Sequence, residues 1–355
     1  MKRFFIPLCF FKAALCCLAA FARADEPSLK QARELELTGQ YEESRELFGQ
    51  LAEEHPLPAA LGESRCLEAR GKLDDAQAVL VAAFKKHPAK AEIPAALASL
   101  ALRSGDLDAA EKHSQAALKL DPNNPAARFV KATLLRHAGK LDEAEKEYVW
   151  FIRFYNREDT FDDPDVLRLI GLATGHYTRW NPRADQFGFL VNNLRREEMK
   201  VEPKYWPAHY EAGRLFLEKF NDPEAAKQFT KALAINPNAA EVHAAMAELH
   251  VENYNLDAAK KSVDQALKLN PNLVAARLAQ ADLELANVRV RQALELLLET
   301  QKINPTREDL LGRIAACHLI LDGPTPDGKE SRSGKLTAEV LQRNPRCGPF
   351  YMQMA

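Results

Sequence analysis

Seven prolines recur at a near-constant spacing, and no other feature of the chain limits its fold so tightly. Pro56, Pro88, Pro122, Pro237, Pro271, Pro305 and Pro345 are separated by 32, 34, 115, 34, 34 and 40 residues. Seventeen residues before the first three stand Gly39, Gly71 and Gly105, and Gly139 extends that series by 34. Alanine recurs at fixed offsets, as Ala76, Ala110, Ala144, Ala225, Ala259 and Ala293 and again as Ala83, Ala117, Ala232 and Ala266. This pattern describes paired helices. The glycine suits a left-handed cap where one helix ends. The residue before each proline is pushed out of the α region and stops the next helix. Alanine lets neighbouring helices approach closely. One such pair cannot bury its apolar stripe alone, so the core forms only when pairs stack.

The segments GDLDAAEKHSQAALKLDPNN (105–124) and NLDAAKKSVDQALKLNPN (255–272) resemble the second-helix half of the tetratricopeptide repeat, whose period is 34 residues. The likeness runs through roughly two thirds of the chain beyond its leader, because several independent positions recur in phase. It implies an all-α fold, a right-handed superhelical solenoid of antiparallel helix pairs whose concave face binds a peptide or another protein.

The repeats group into blocks. Residues 25–156 hold four pairs, and 206–305 hold three in which Phe220, Tyr254 and Val288 replace the turn glycine. Between them, 157–205 reads as one enlarged, irregular repeat, with helices expected near 164–179 and 183–199 behind Asp163-Pro164 and Asn181-Pro182. Its aromatic residues (Phe161, Tyr177, Trp180, Phe187, Phe189, Tyr205 and Trp206) are expected to fill the gap left by longer helices. Residues 306–355 read as a degenerate repeat, with a polar loop at 322–334 and an apolar stub, Phe350-Tyr351-Met352, that either packs under the last pair or belongs to a longer array.

Residues 1–24 have a basic start, an apolar stretch and Ala22-Arg23-Ala24 before Asp25, the pattern of a cleaved secretory signal. An uncleaved membrane anchor is the alternative, disfavoured by Lys12 and Pro7. Cleavage removes four basic residues and no acid, taking the formal charge from −2 to −6. It leaves Cys66, Cys317 and Cys347, whose spacing matches no zinc motif; they are either buried thiols or include a Cys317–Cys347 bridge. The expected location is periplasmic or extracellular, with no stable membrane insertion after cleavage.

A balance of 48 basic and 50 acidic residues argues against general nucleic-acid binding. No nucleotide-binding, nucleophile-elbow or metalloprotease motif is present, so no catalytic, cofactor or metal residues are assigned. His209, His243 and His250 share a helix-face register that repeat periodicity explains more simply than a metal does. The chain reads as a non-enzymatic exported scaffold. The alternative is the N-terminal scaffold of a larger secreted protein with an effector domain, in keeping with a weak likeness of RWNPRADQFGFLVNN and YWPAHYEAGRLFLEKFN to long bacterial exported repeat proteins.

The resemblance also implies which positions line the groove. In the first block these are Arg33, Arg65, Ser99, Arg103, Phe129, Thr133, Arg136 and His137, a cationic half. In the second they are Tyr210, Arg214, Glu218, Glu241, Glu248, Glu252 and Asp282, largely acidic. Converging guanidinium groups suit carboxylate ligands such as an acidic peptide. The paired asparagines of the family's carboxylate-clamp members are missing.

Overall fold

A computed structural model describes residues 28–180, 187–323 and 331–354. The leader, Asn181-Pro182 and most of the loop expected at 322–334 lie outside these residues. The described chain forms a right-handed superhelical solenoid of antiparallel helix pairs, with no strand among the described residues. The first four pairs are α1 (Leu29–Leu37) with α2 (Tyr41–Gln50), α3 (Pro56–Ala69) with α4 (Leu73–Lys86), α5 (Glu92–Ser104) with α6 (Leu107–Leu120), and α7 (Pro125–His137) with α8 (Leu141–Tyr155). The fifth is α9 (Pro164–Trp180) with α10, a π-helical turn at Phe189–Leu194 running into Arg195–Val201. Four more follow: α11 (Trp206–Glu218) with α12 (Asp222–Ile235), α13 (Ala240–Glu252) with α14 (Leu256–Leu269), α15 (Val274–Ala286) with α16 (Val290–Gln301), and α17 (Glu308–Asp322) with α18 (Arg332–Arg343). A short α19 (Gly348–Met354) ends the array.

Local chemistry explains these boundaries. Asp106, Asn124, Asn221 and Asn255 each accept a bond from a first-turn amide and start a helix. Asp163 accepts from the Asp165 amide at 2.8 Å, which starts α9 at Pro164. The recurrent alanines are fully buried: Ala76, Ala110, Ala144, Ala225, Ala259 and Ala293 sit where a larger side chain would hold two helices apart.

The central pair is packed as the aromatic count suggested. Tyr155 stacks on Phe161 with centroids 5.8 Å apart and meets Phe189 edge-on at 5.4 Å, over a core that includes Tyr148, Phe151 and Leu194. Tyr205 is fully buried against Leu37 and Ala208. At the other end the stub takes the place of a next first helix: Phe350 is fully buried and Met354 packs on the same cluster, while Tyr351 and Met352 stay exposed, Met352 beside Glu248 and Glu252 on the inner side of the curve. Cys66, Cys317 and Cys347 are buried free thiols, so Cys317 and Cys347 share a cluster without a bridge.

Phe220, Tyr254 and Val288 keep the left-handed turn that glycine makes elsewhere, with φ of +55°, +54° and +61°. Why the first block alone uses glycine is a tertiary matter. A Cβ on Gly39, Gly71, Gly105 or Gly139 would lie 2.2, 2.3, 2.4 or 2.9 Å from the side-chain oxygen of Asn236, Asn270, Asn304 or Asn344. The superhelix has therefore come full circle, and the turn of each early pair rests on a loop 195 to 208 residues later.

The seam repeats one pattern. Each asparagine oxygen accepts from the amide two residues on, at 3.0 to 3.2 Å, which shapes the Asn-Pro loop. In three of the four, the amide nitrogen donates across the seam to a carbonyl at the end of a first helix: Asn270 to Glu68, Asn304 to Arg103 and Asn344 to Arg136. These carbonyls lie in the last turn of their helices, where those of Glu68 and Arg136 also accept from the turn glycines Gly71 and Gly139 at 2.9 and 3.0 Å. Asn236 instead donates to the Tyr41 hydroxyl at 3.0 Å. Asn238, Asn272 and Thr306 donate to the glycine carbonyls themselves.

Candidate functional site: the axial channel

Closing the superhelix turns its concave face into a channel. Three adjoining cavities of about 440, 580 and 150 Å³ run through it, joined at Glu68, Arg103, Arg168, Tyr210 and Glu241, residues that line more than one of them. The walls come mainly from the first helices of the pairs, because these sit on the inner side of the curve.

Of the residues expected to line the groove, Arg33, Arg65, Arg103, Arg136, His137, Tyr210, Arg214, Glu248 and Glu252 do so, as do Glu218 and Glu241. Four do not: Phe129, Thr133, Ser99 and Asp282 line none of these cavities. Phe129 packs edge-on against Phe151 at 6.2 Å, and Thr133 is buried with its hydroxyl bonded to the Phe129 carbonyl at 2.9 Å. Ser99 is half-buried and bonds back to the Ala95 carbonyl. Phe129 turns inward because the fourth pair meets the enlarged fifth one, where its ring lies 6.2 Å from that of His176 on α9. Asp282 is held by Arg313 at 2.7 Å.

The cationic half does not survive as free charge. Arg65 makes a two-pronged pair with Glu36 at 2.7 and 2.9 Å, and Arg33 bridges Glu36 at 2.6 Å and Asp165 at 2.7 Å. Arg103 reaches Glu68 at 3.0 Å, and His137 and Arg136 both face Glu308 at 3.0 and 3.5 Å across the seam. Arg168 meets Glu211, Arg179 meets Glu218 and Arg214 meets Glu248. Burial alone would raise the Asp165 carboxyl, but Arg33 and Arg65, with a bond from the Tyr205 hydroxyl at 2.6 Å, hold it at about 2. Burial also opposes ionisation of Glu36 and Glu308, and their cationic neighbours outweigh it, so both sit below the usual carboxylate range. His176 is driven down to about 3 by burial and by Arg136 and Arg179, and stacks neutral on Tyr148.

Spacing along the chain missed Glu36, Glu68, Asp165, Arg168, Glu211 and Glu308. Part of the signal was present: Arg33–Glu36 and Arg65–Glu68 stand three apart on their helices. Yet Arg65 pairs with Glu36 and Arg103 with Glu68, each with the carboxylate one pair earlier, which only the stacking of pairs decides. Among the histidines, His209 contacts the Gln228 side chain and His243 the Pro237 carbonyl. No group able to hold a metal ion occurs among the described residues, and none of their helices is long and apolar enough to cross a membrane.

Stacked antiparallel helix pairs around an open axis define a helical-repeat solenoid of the kind that serves as an interaction scaffold. The chain carries tetratricopeptide repeats: the family model of that name matches residues 61–111, 95–149 and 244–308. Among solved structures it is similar to the APC/C hetero-tetramer Cut9–Hcn1, with a TM-score of 0.52 at 18% identity, over 86% of this chain and 58% of that one. The chain thus spans just over half of that relative's length, and the likeness is one of fold. TTC0263, a thermophilic repeat protein of Thermus thermophilus, matches over 55% of this chain and 99% of its own at 21% identity, with a TM-score of 0.44. No curated protein sequence matches the chain.

Proposed function

We propose that the protein is an exported, non-enzymatic scaffold that holds a polypeptide segment in the axial channel, and that this segment is acidic. The observation that carries the reading is Arg103. It lies where two cavities join, its side chain is 59% exposed, and a single carboxylate, Glu68, holds it at 3.0 Å. An incoming carboxylate can take that guanidinium without breaking the half-buried pairs that fix the wall, such as Arg168–Glu211. Export rests on the leader at residues 1–24.

An array of extended acidic peptides, probed with the wild-type protein and with Arg103→Glu, tests the site. Binding by wild type that drops about tenfold or more in the variant is expected, since a charge-assisted contact contributes about 1.5–3 kcal/mol. Equal binding by both proteins removes Arg103 from the site. Mass measurement of the protein recovered from an exporting host tests the leader: a chain beginning at Asp25 is expected, and an intact Met1 end overturns cleavage.

A further inference from the structure

Three side chains hold an unfavourable backbone and face solvent. Phe220, Tyr254 and Val288 occupy the same turn position in three successive pairs, in left-handed geometry that disfavours any Cβ and a β-branched residue most. They are 92%, 78% and 83% exposed. Glycine or asparagine would make the turn at lower cost, and the fold draws no packing from these larger residues. Strain kept at repeated, solvent-facing positions points to recognition, and the three together make an apolar stripe with one side chain per pair.

The place of the stripe says what covers it. It is the turn edge of pairs six to eight, continuing by one superhelical turn the edge that, in pairs one to four, stacks on Asn-Pro loops. A second copy added head to tail would present the loops before α3, α5 and α7. There His55, His87 and Asp121 stand where the seam needs asparagine. On the receiving side, side chains fill the space that the seam leaves to Asn236, Asn270, Asn304 and Asn344. Head-to-tail growth by the seam is therefore closed. Edge-to-edge pairing about a two-fold axis is open, because Tyr254 lies 34 residues from both Phe220 and Val288. An axis through Tyr254 sets Phe220 of each copy against Val288 of the other, a self-complementary pattern. Three side chains so exposed offer roughly 500 Å² per copy, and a pair of stripes buries about 1,000 Å², the lower bound for a specific interface.

We infer that the chain forms a weak two-fold homodimer through Phe220, Tyr254 and Val288. Sedimentation equilibrium of the protein recovered after export is expected to show a mass rising from that of one chain toward twice that value across the micromolar range. Tyr254→Gly is expected to remain monomeric with an undiminished melting temperature, since glycine suits the turn. Under oxidation, Tyr254→Cys should give a disulfide-linked dimer. Phe220→Cys alone should not, and Phe220→Cys with Val288→Cys should. A wild-type chain that stays monomeric overturns the dimer. Association that survives Tyr254→Gly, or a mass growing past twice the monomer, overturns it equally.

Discussion

Gly71→Ala is the most informative single change, because its cost depends on whether the seam forms. Gly71 has φ +74°, so a Cβ there carries a left-handed penalty of roughly 1–2 kcal/mol wherever the position lies. The seam adds a second cost. The new Cβ would stand 2.3 Å from Asn270 Oδ1, well inside contact distance, and Asn270 is buried on its other sides. Moving Asn270 gives up its bond to the Glu68 carbonyl at 3.2 Å and the one it accepts from the Asn272 amide at 3.0 Å. The Asn272 bond to the Gly71 carbonyl at 3.0 Å goes with them. At about 1 kcal/mol for each bond, the whole change costs roughly 4–5 kcal/mol. Urea unfolding of wild type, Gly71→Ala, Asn270→Ala and the double variant measures it, read by circular dichroism and by amide exchange, because repeat arrays need not unfold in one step. In the Asn270→Ala background, Gly71→Ala should cost only the backbone penalty. Equal cost in both backgrounds would mean that the two residues do not meet, and the closed superhelix would be wrong.

Other predictions follow from the same geometry. Val288→Gly, at an equivalent turn that no residue of the same chain covers, should stabilise the monomer by up to about 1 kcal/mol in the same denaturation assay at sub-micromolar concentration; a loss of stability there would show that Val288 packs within its own chain. The Asp165 carboxyl is held at about 2 against an ordinary 3.8, so its contribution is complete above 3.8 and lost as pH falls through about 2. Melting curves across that window should therefore be flatter for Asp165→Asn, and parallel curves would refute the Arg33–Asp165–Tyr205 linkage. Arg195 and Glu198 form a buried pair on α10 beside Gly171. Glu198→Leu should cost about 3–5 kcal/mol by stranding the guanidinium, and adding Arg195→Met should recover most of it. An additive double variant would exclude that coupling.

The α9 and α10 region shows where sequence reasoning stops. Asp163-Pro164 marked the start of α9, because a carboxylate cap and a proline act over three residues. The π-helical turn at Phe189–Leu194 carries no such mark: Gly171 leaves room for Arg195, 24 residues away, and that packing requirement is invisible in the local sequence. The channel divides in the same way. Positions on first helices put Arg65, Arg103 and Arg214 on its wall, whereas Phe129 and Thr133, in the same register, were drawn into the core by the larger fifth pair.

By itself the sequence determined the helix pairs and their register, because proline, glycine and buried alanine act within one or two turns of the chain. It also recorded, without explaining, that glycine marks the early turns and Asn-Pro the late loops. Only the tertiary structure decided that Gly71 and Asn270 belong together, and which carboxylate answers each arginine. Small rotations between neighbouring pairs accumulate over six pairs, and their sum sets whether a superhelix stays open or closes on itself. No local pattern of residues encodes that sum.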